Sequence, residues 1–241
     1  MYFLEQRGYG YSEGKLAEPD LVYIDSFDTY VEDLNEFVTK VIKQESAGLP
    51  LIMLSHSMGG AIGALYLESY PDVFKAAVFS SPMLKMNTGR MNRFKINLVK
   101  VYMLFMHKQK SLSPGQKRFA TEPDFENSSA LSKARFDYVF KMRVSDYHYQ
   151  TFGASLGWVM AALDSEKKIL ENAYKIKIPV VLIQAGMDSL VMPRGGELFM
   201  QKVPQARKLM YEDSKHEIFN AHDDVRKKYF NDVLEELNSF L

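Results

Sequence analysis

The chain has 241 residues, 30 Lys plus Arg against 30 Asp plus Glu, 46% hydrophobic residues and no cysteine. Zero net charge leaves no whole-molecule field to attract nucleic acid, and the absence of cysteine excludes disulfides, thiolate metal ligands and a Cys nucleophile. The composition is that of one globular core large enough to carry an insertion.

Taken in order, short apolar runs alternate with amphipathic helical stretches, the pattern of an α/β protein with a mainly parallel sheet flanked by helices. Residues 1–8 lack the basic start and long apolar stretch of a signal peptide, so a cytoplasmic location is expected. Residues 2–4 read as a first strand, followed by Gly8, Gly10 and Gly14. Their G-x-G-x-x-x-G spacing departs from the dinucleotide fingerprint, and Lys15-Leu-Ala-Glu-Pro19 is a poor start for a phosphate-binding helix. Phe27, Tyr30, Val31, Leu34, Phe37, Val38, Val41 and Ile42 recur at helical spacing.

A strand over 51–54 runs into Ser55-His-Ser-Met-Gly-Gly60 and then a helix to about residue 70. A further strand covers 76–79. Between residues 83 and 163 the alternation stops, and 94–106 and 132–142 look helical. That interval is too long for a structureless loop and reads as an inserted helical cap. It divides the chain into a first core part (1–82), the cap (83–163) and a second core part (164–241). Strands over 180–184 and 208–211 and helices over 194–202 and 222–240 complete the core.

The chemistry begins at Ser57. A strand entering a helix through a tight turn of small residues is the setting of a nucleophile elbow, which lifts the serine hydroxyl clear of the backbone. Gly59 and Gly60 supply the small residues on one side, and Ser55 stands where the pattern has glycine. The helix start beneath Ser57 places backbone N–H groups, Met58 foremost, where an oxyanion would develop. Taken alone, Ser57 leaves a helix N-cap as the lesser alternative.

A serine needs a base, and the base an orienting carboxylate. Of the five histidines, His216 follows the 208–211 strand on a loop. His222 falls at the start of the last helix, His107 and His148 in the cap, and His56, pointing away from Ser57 at an elbow, takes a packing role. Asp188 follows the apolar Val180-Val-Leu-Ile-Gln-Ala-Gly-Met run, where catalytic groups of open parallel sheets collect. By itself it would be a turn aspartate, and His216 by itself a surface histidine. Together Ser57, Asp188 and His216 each follow a separate strand, in the order of the α/β-hydrolase triad.

The cap carries its own signal. Lys85, Arg90, Arg93, Lys95, Lys100, Lys108, Lys110, Lys117 and Arg118 fall between residues 85 and 120 with no acidic residue among them. Apolar residues such as Phe94, Leu98, Val101 and Phe105 are interleaved with them. A peripheral contact with anionic lipid is one reading and a solvated helix face over a core stripe the other. Histidines and carboxylates do not pair at metal-ligand spacing, so no metal and no cofactor is expected.

Several stretches resemble the α/β-hydrolase branch of bacterial lysophospholipases and monoacylglycerol lipases, the serine-aminopeptidase-like hydrolases. They are Gln6-Arg-Gly-Tyr-Gly-Tyr-Ser12, Phe27-Asp-Thr-Tyr-Val-Glu-Asp-Leu34, Ser55-His-Ser-Met-Gly-Gly60, Gln184-Ala-Gly-Met-Asp-Ser-Leu-Val191 and His216-Glu-Ile218. The resemblance implies an α/β-hydrolase fold, a Ser57-Asp188-His216 triad, an acyl-selecting cap and a small-molecule acyl ester or lipid as substrate. An amidase or peptidase on the same triad, or a truncated non-catalytic binding protein, are the alternatives. Members of that branch place three strands and a helix before the strand ending in Arg-Gly-x-Gly-x-Ser, with a His-Gly turn as second oxyanion donor. Here that strand starts at residue 2, so the N-terminal strands are expected to be missing, with an exposed edge, self-association and weakened turnover as consequences.

Overall fold

A computed structural model describes every residue of the chain, 1–241. The elements run β1 (Leu21–Val22), α1 (Phe27–Phe37), a π turn (Val38–Ile42), α2 (Lys43–Glu45), β2 (Ile52–His56), α3 (Met58–Ser69) and β3 (Ala76–Ser80). They continue with α4 (Arg93–Phe105), α5 (Lys133–Ser145), β4 (Gly153–Ala154) and α6 (Leu156–Asn172). The last are β5 (Val180–Ala185), α7 (Pro193–Lys202), β6 (Ala206–Tyr211) and α8 (Asp223–Ser239). No helix is long and apolar enough to cross a membrane.

The chain folds as two compact units. One comprises Met1–Ile42, Thr88–Pro123 and Tyr138–Ser165. In it α1 starts at Ser26, whose hydroxyl accepts the Asp28 N–H in place of the hydrogen bond that the first helical turn cannot make for itself. Its apolar stripe buries Phe27, Tyr30 and Val31, with Phe27 edge-on to Tyr30 and Trp158. The Arg7 guanidinium grips Asp33 of α1 with two hydrogen bonds, of 2.8 and 2.5 Å. Gly8, Gly10 and Gly14 turn with φ of 82°, 53° and 89°, which suits glycine because a Cβ would collide there with the backbone. No helix begins before Phe27, so these turns open no phosphate-binding helix.

The expected strand over 2–4 is not formed: residues 1–6 enter no strand ladder and Phe3 is 81% exposed. Three apolar residues make a strand only where a neighbour completes the ladder of backbone hydrogen bonds. The pairing in this unit is instead the parallel two-residue ladder of β1 with β4, Leu21 opposite Gly153 and Val22 opposite Ala154, with a single antiparallel bridge between Leu112 and Ser155.

The other unit comprises Lys43–Asn87, Asp124–Asp137 and Glu166–Leu241. Its sheet has four parallel strands in the order β2-β3-β5-β6. All residues of β3 and β5 are buried, the reason those strands read as unbroken apolar runs rather than as alternation. α3 lies close on β2 and β3 because Gly63 has no side chain: a Cβ there would sit 2.7 Å from Met53 Sδ and 3.1 Å from the Phe79 ring. On α8, Tyr229 and Val233 pack with Val78, Val181, Ile183 and Tyr211 of the sheet. The carboxyl ends of β2, β5 and β6 all point the same way, since the strands are parallel, and the loops that leave those ends carry Ser57, Asp188 and His216.

Candidate active site

Ser57 joins β2 to α3 with φ 52° and ψ −118°, a conformation costly for any residue with a Cβ. Backbone hydrogen bonds hold it there, among them a longer one of 3.4 Å from the Ala61 N–H to the Ser57 carbonyl. The Ser57 N–H donates to the Ser80 carbonyl at 3.0 Å, and the Ser57 carbonyl accepts from Gly60 and from Met83, each at 2.9 Å. Gly60 permits the turn to close, because a Cβ on it would stand 2.6 Å from that of Pro82. Met58 is the first residue of α3, so its N–H lies in the helix's first turn beside the serine.

Asp188 is aimed by the turn after β5. The N–H of Gly186 donates to Tyr211 at 2.8 Å and that of Met187 to Ser214 at 2.9 Å, drawing this turn against the loop that follows β6. Only glycine fits at 186, where a Cβ would be 2.4 Å from the Glu212 carbonyl oxygen. Asp188 Oδ1 accepts the N–H groups of Leu190 (2.8 Å) and Val191 (3.0 Å). Its Oδ2 lies 2.6 Å from His216 Nδ1, and His216 Nε2 lies 2.8 Å from Ser57 Oγ.

Burial works to raise the Asp188 pKa, but the hydrogen bond and charge of His216 and the two backbone donors outweigh it and hold the carboxyl below its ordinary value. An ionised carboxylate only accepts, so Nδ1 carries the proton of the His216–Asp188 bond and Nε2 is left to accept from the Ser57 hydroxyl. The imidazole and carboxylate are almost wholly shielded, with side chains 5% and 3% exposed. The three residues singled out in the sequence thus meet in one hydrogen-bonded line.

Two residues support His216, and the first of them carries no signal in the sequence. Ser81 Oγ donates to the His216 carbonyl at 2.9 Å from a buried position at φ 43°. The His56 ring packs 4.8 Å from that of His216 and edge-on to Phe219 at 5.0 Å. Burial, and then the neighbouring His216, push the His56 pKa down to about 3, so its ring stays neutral. The packing role expected for His56 is therefore played against His216. His222 is the N-cap residue of α8 without a capping hydrogen bond from its side chain, and His148 pairs with Asp146 at 2.8 Å.

The profile of the family described as serine aminopeptidase, S33, matches residues 1–223. The probable lysophospholipase L2 of Haemophilus influenzae is 26% identical over 237 residues, 98% of this chain and 73% of that protein. Human monoglyceride lipase is 26% identical over 233 residues, 94% of this chain and 69% of its own length. Among solved structures, a soluble variant of Saccharomyces cerevisiae monoglyceride lipase superposes with a TM-score of 0.74 at 22% identity, covering 98% of this chain and 76% of that one. The monoacylglycerol lipase of Paleococcus ferrophilus gives 0.70 at 22% identity, over 97% and 81%. With a family match over most of its length and this fold, the chain belongs to the serine aminopeptidase S33 family and is an α/β-hydrolase.

Proposed function

We propose that this protein hydrolyses carboxylic esters of lipid-like substrates, monoacylglycerols or lysophospholipids, through an acyl-enzyme on Ser57. The observation that carries the reading is the line Ser57 Oγ, His216 and Asp188, with contacts of 2.8 and 2.6 Å, built on a strained strand-to-helix turn. Ser57 Oγ attacks the ester carbonyl as its proton passes to His216 Nε2, while Asp188 keeps Nδ1 protonated and faces the imidazolium that forms. The Met58 N–H and the start of α3 stabilise the oxyanion. His216 then protonates the departing alcohol and afterwards activates the water that frees the acid. The names of the relatives, lysophospholipase and monoglyceride lipase, support the substrate class.

The test offers the protein a monoacylglycerol, a lysophospholipid and an amide of the same acyl chain, with a fluorophosphonate probe in parallel. Probe labelling with turnover of the esters well above that of the amide is the expected result. Faster amide cleavage would make it an amidase or peptidase on the same residues, and no labelling at all would leave a non-catalytic binding protein.

We further propose peripheral contact of α4 with anionic lipid. The inner face of α4 is satisfied, with Ile96, Val99 and Met103 packed on Leu156 and Met160. Yet its outer face is apolar as well: Phe94 (69% exposed), Leu98, Val101 and Phe105 recur at helical spacing beside Arg93, Lys95 and Lys100. An apolar stripe flanked by cations matches a headgroup layer rather than water. Vesicles containing phosphatidylglycerol should sediment the protein at low salt, more weakly as salt rises, and Phe94→Ser/Phe105→Ser should abolish this. Equal sedimentation with neutral vesicles would return α4 to a solvated face.

A further inference from the structure

The segment that leaves β3 bonds to Ser57, to His216 and to the loop that follows Asp188. Beyond its contacts with Ser57 and His216, residues 85–87 run antiparallel to residues 190–192, the continuation of the Asp188 loop. Met192 N–H donates to the Lys85 carbonyl at 2.7 Å, Met86 bridges Val191, and Asn87 N–H donates to the Leu190 carbonyl at 2.8 Å. Asn87 Nδ2 adds a bond of 3.1 Å to the Ser189 carbonyl. Gly195 lets α7 close on the same strap, since a Cβ there would lie 2.8 Å from Lys85 N. Leu190 and Val191 are the residues whose N–H groups hold Asp188 Oδ1.

The Met86 N–H is not part of this pairing: it donates to the carboxylate of Glu166 on α6. Burying a carboxylate is expensive, and here burial outweighs the Met86 N–H and Lys85 and pushes the Glu166 pKa up to about 7. A glutamate that serves only as a surface residue of α6 would point to water, as Lys167 and Lys168 do.

We propose that Glu166 is a positioning residue for Asp188: by accepting the Met86 N–H it anchors the 85–87 strap, and through that strap it fixes the loop that aims Asp188 at His216. The idea rests on the hydrolase reading above for its kinetic consequence but not for its geometric one. Glu166 is remote from the reacting atoms in the chain of contacts, so its loss should misplace the base without altering substrate affinity.

The experiment compares Glu166→Ala and Glu166→Gln with the unaltered chain. It follows ester kinetics and the downfield NMR resonance of the His216 Nδ1 proton, which reports the Asp188 hydrogen bond without needing a substrate. Glu166→Ala should lose or broaden that resonance and lower kcat by roughly 10- to 100-fold with KM within about twofold, the cost of a misplaced catalytic group. Glu166→Gln, whose Oε1 still accepts the Met86 N–H, should restore both to within about threefold of the original. An unchanged resonance in folded Glu166→Ala overturns the proposal whether or not the protein hydrolyses anything, and so does a Gln variant as impaired as the Ala one. An absent resonance in the unaltered chain would also count against it. Should Glu166→Ala not fold, Glu166→Leu, which fills the space but cannot accept the Met86 N–H, is judged by the same criterion. The hydrolase reading fails separately, by absence of probe labelling.

Discussion

Ser57→Ala is expected to remove fluorophosphonate labelling and to lower ester turnover by roughly 10⁴- to 10⁶-fold, the scale on which deletion of a triad nucleophile is felt. The variant deletes only the hydroxyl that lies 2.8 Å from His216 Nε2. The backbone bonds that hold the turn, from Ser57 N–H to Ser80 and from Gly60 and Met83 to the Ser57 carbonyl, do not involve the side chain. Alanine meets the same cost as serine at φ 52°, since that cost arises at Cβ. Its melting temperature should therefore stay within a few degrees of the original. Turnover that survives in a preparation free of contaminating esterase would move the nucleophile elsewhere.

Asp188→Asn should be nearly as severe, about 10⁴-fold in kcat, for a different reason. Asparagine keeps the shape and can still accept the Leu190 and Val191 N–H groups that Asp188 holds at 2.8 and 3.0 Å. Its amide nitrogen, however, can face His216 Nδ1 only as a donor, which forces the imidazole proton onto Nε2, where it can no longer take the proton of Ser57. The loss should persist at every pH between 6 and 9. Stability should respond as well. Because the folded carboxyl has its pKa depressed below the usual value, Asp188 contributes stability that is complete above the unfolded carboxylate pKa and is lost as pH falls through the lower folded value. Melting temperatures of the two forms should therefore converge on acidification. A variant with full activity, or a gap in stability that grows as pH falls, would deny Asp188 its role.

Much of the core was legible in the chain itself, and the reason is local. Ala76–Ser80 and Val180–Ala185 announce themselves because a strand covered on both faces has no polar residue to place. The Ser55-His-Ser-Met-Gly-Gly60 run declares a strand-to-helix turn because its small residues let the chain turn tightly, as at Gly60, where Pro82 leaves no room for a Cβ. That Asp188 and His216 lie on loops past strands follows from the same apolar runs. Residues 2–4 show the limit of such reading: an apolar triplet is a strand only if another backbone lies alongside, and local sequence does not say whether one does.

What the sequence could not decide is which distant segments meet. The two-residue ladder of β1 with β4 has no periodicity to betray it. The outward apolar stripe of α4 looks, in the chain, like any other core stripe, because the pattern tells that a face is apolar and not that it is exposed. The line from Ser57 to His216 to Asp188 exists only because β2, β3, β5 and β6 lie in that order and register and so bring three carboxyl ends together. Ser81 beneath His216 and Glu166 behind the Asp188 loop are ordinary residues in one dimension, and the sequence assigns His56 a packing role without its partner, the His216 ring. The chain by itself determined the elements and the chemistry they could carry, because periodicity and turn sterics act over a few residues. Tertiary structure alone decided the distances, because hydrogen bonds of 2.6 to 2.9 Å between residues far apart in sequence are set by packing across the whole sheet.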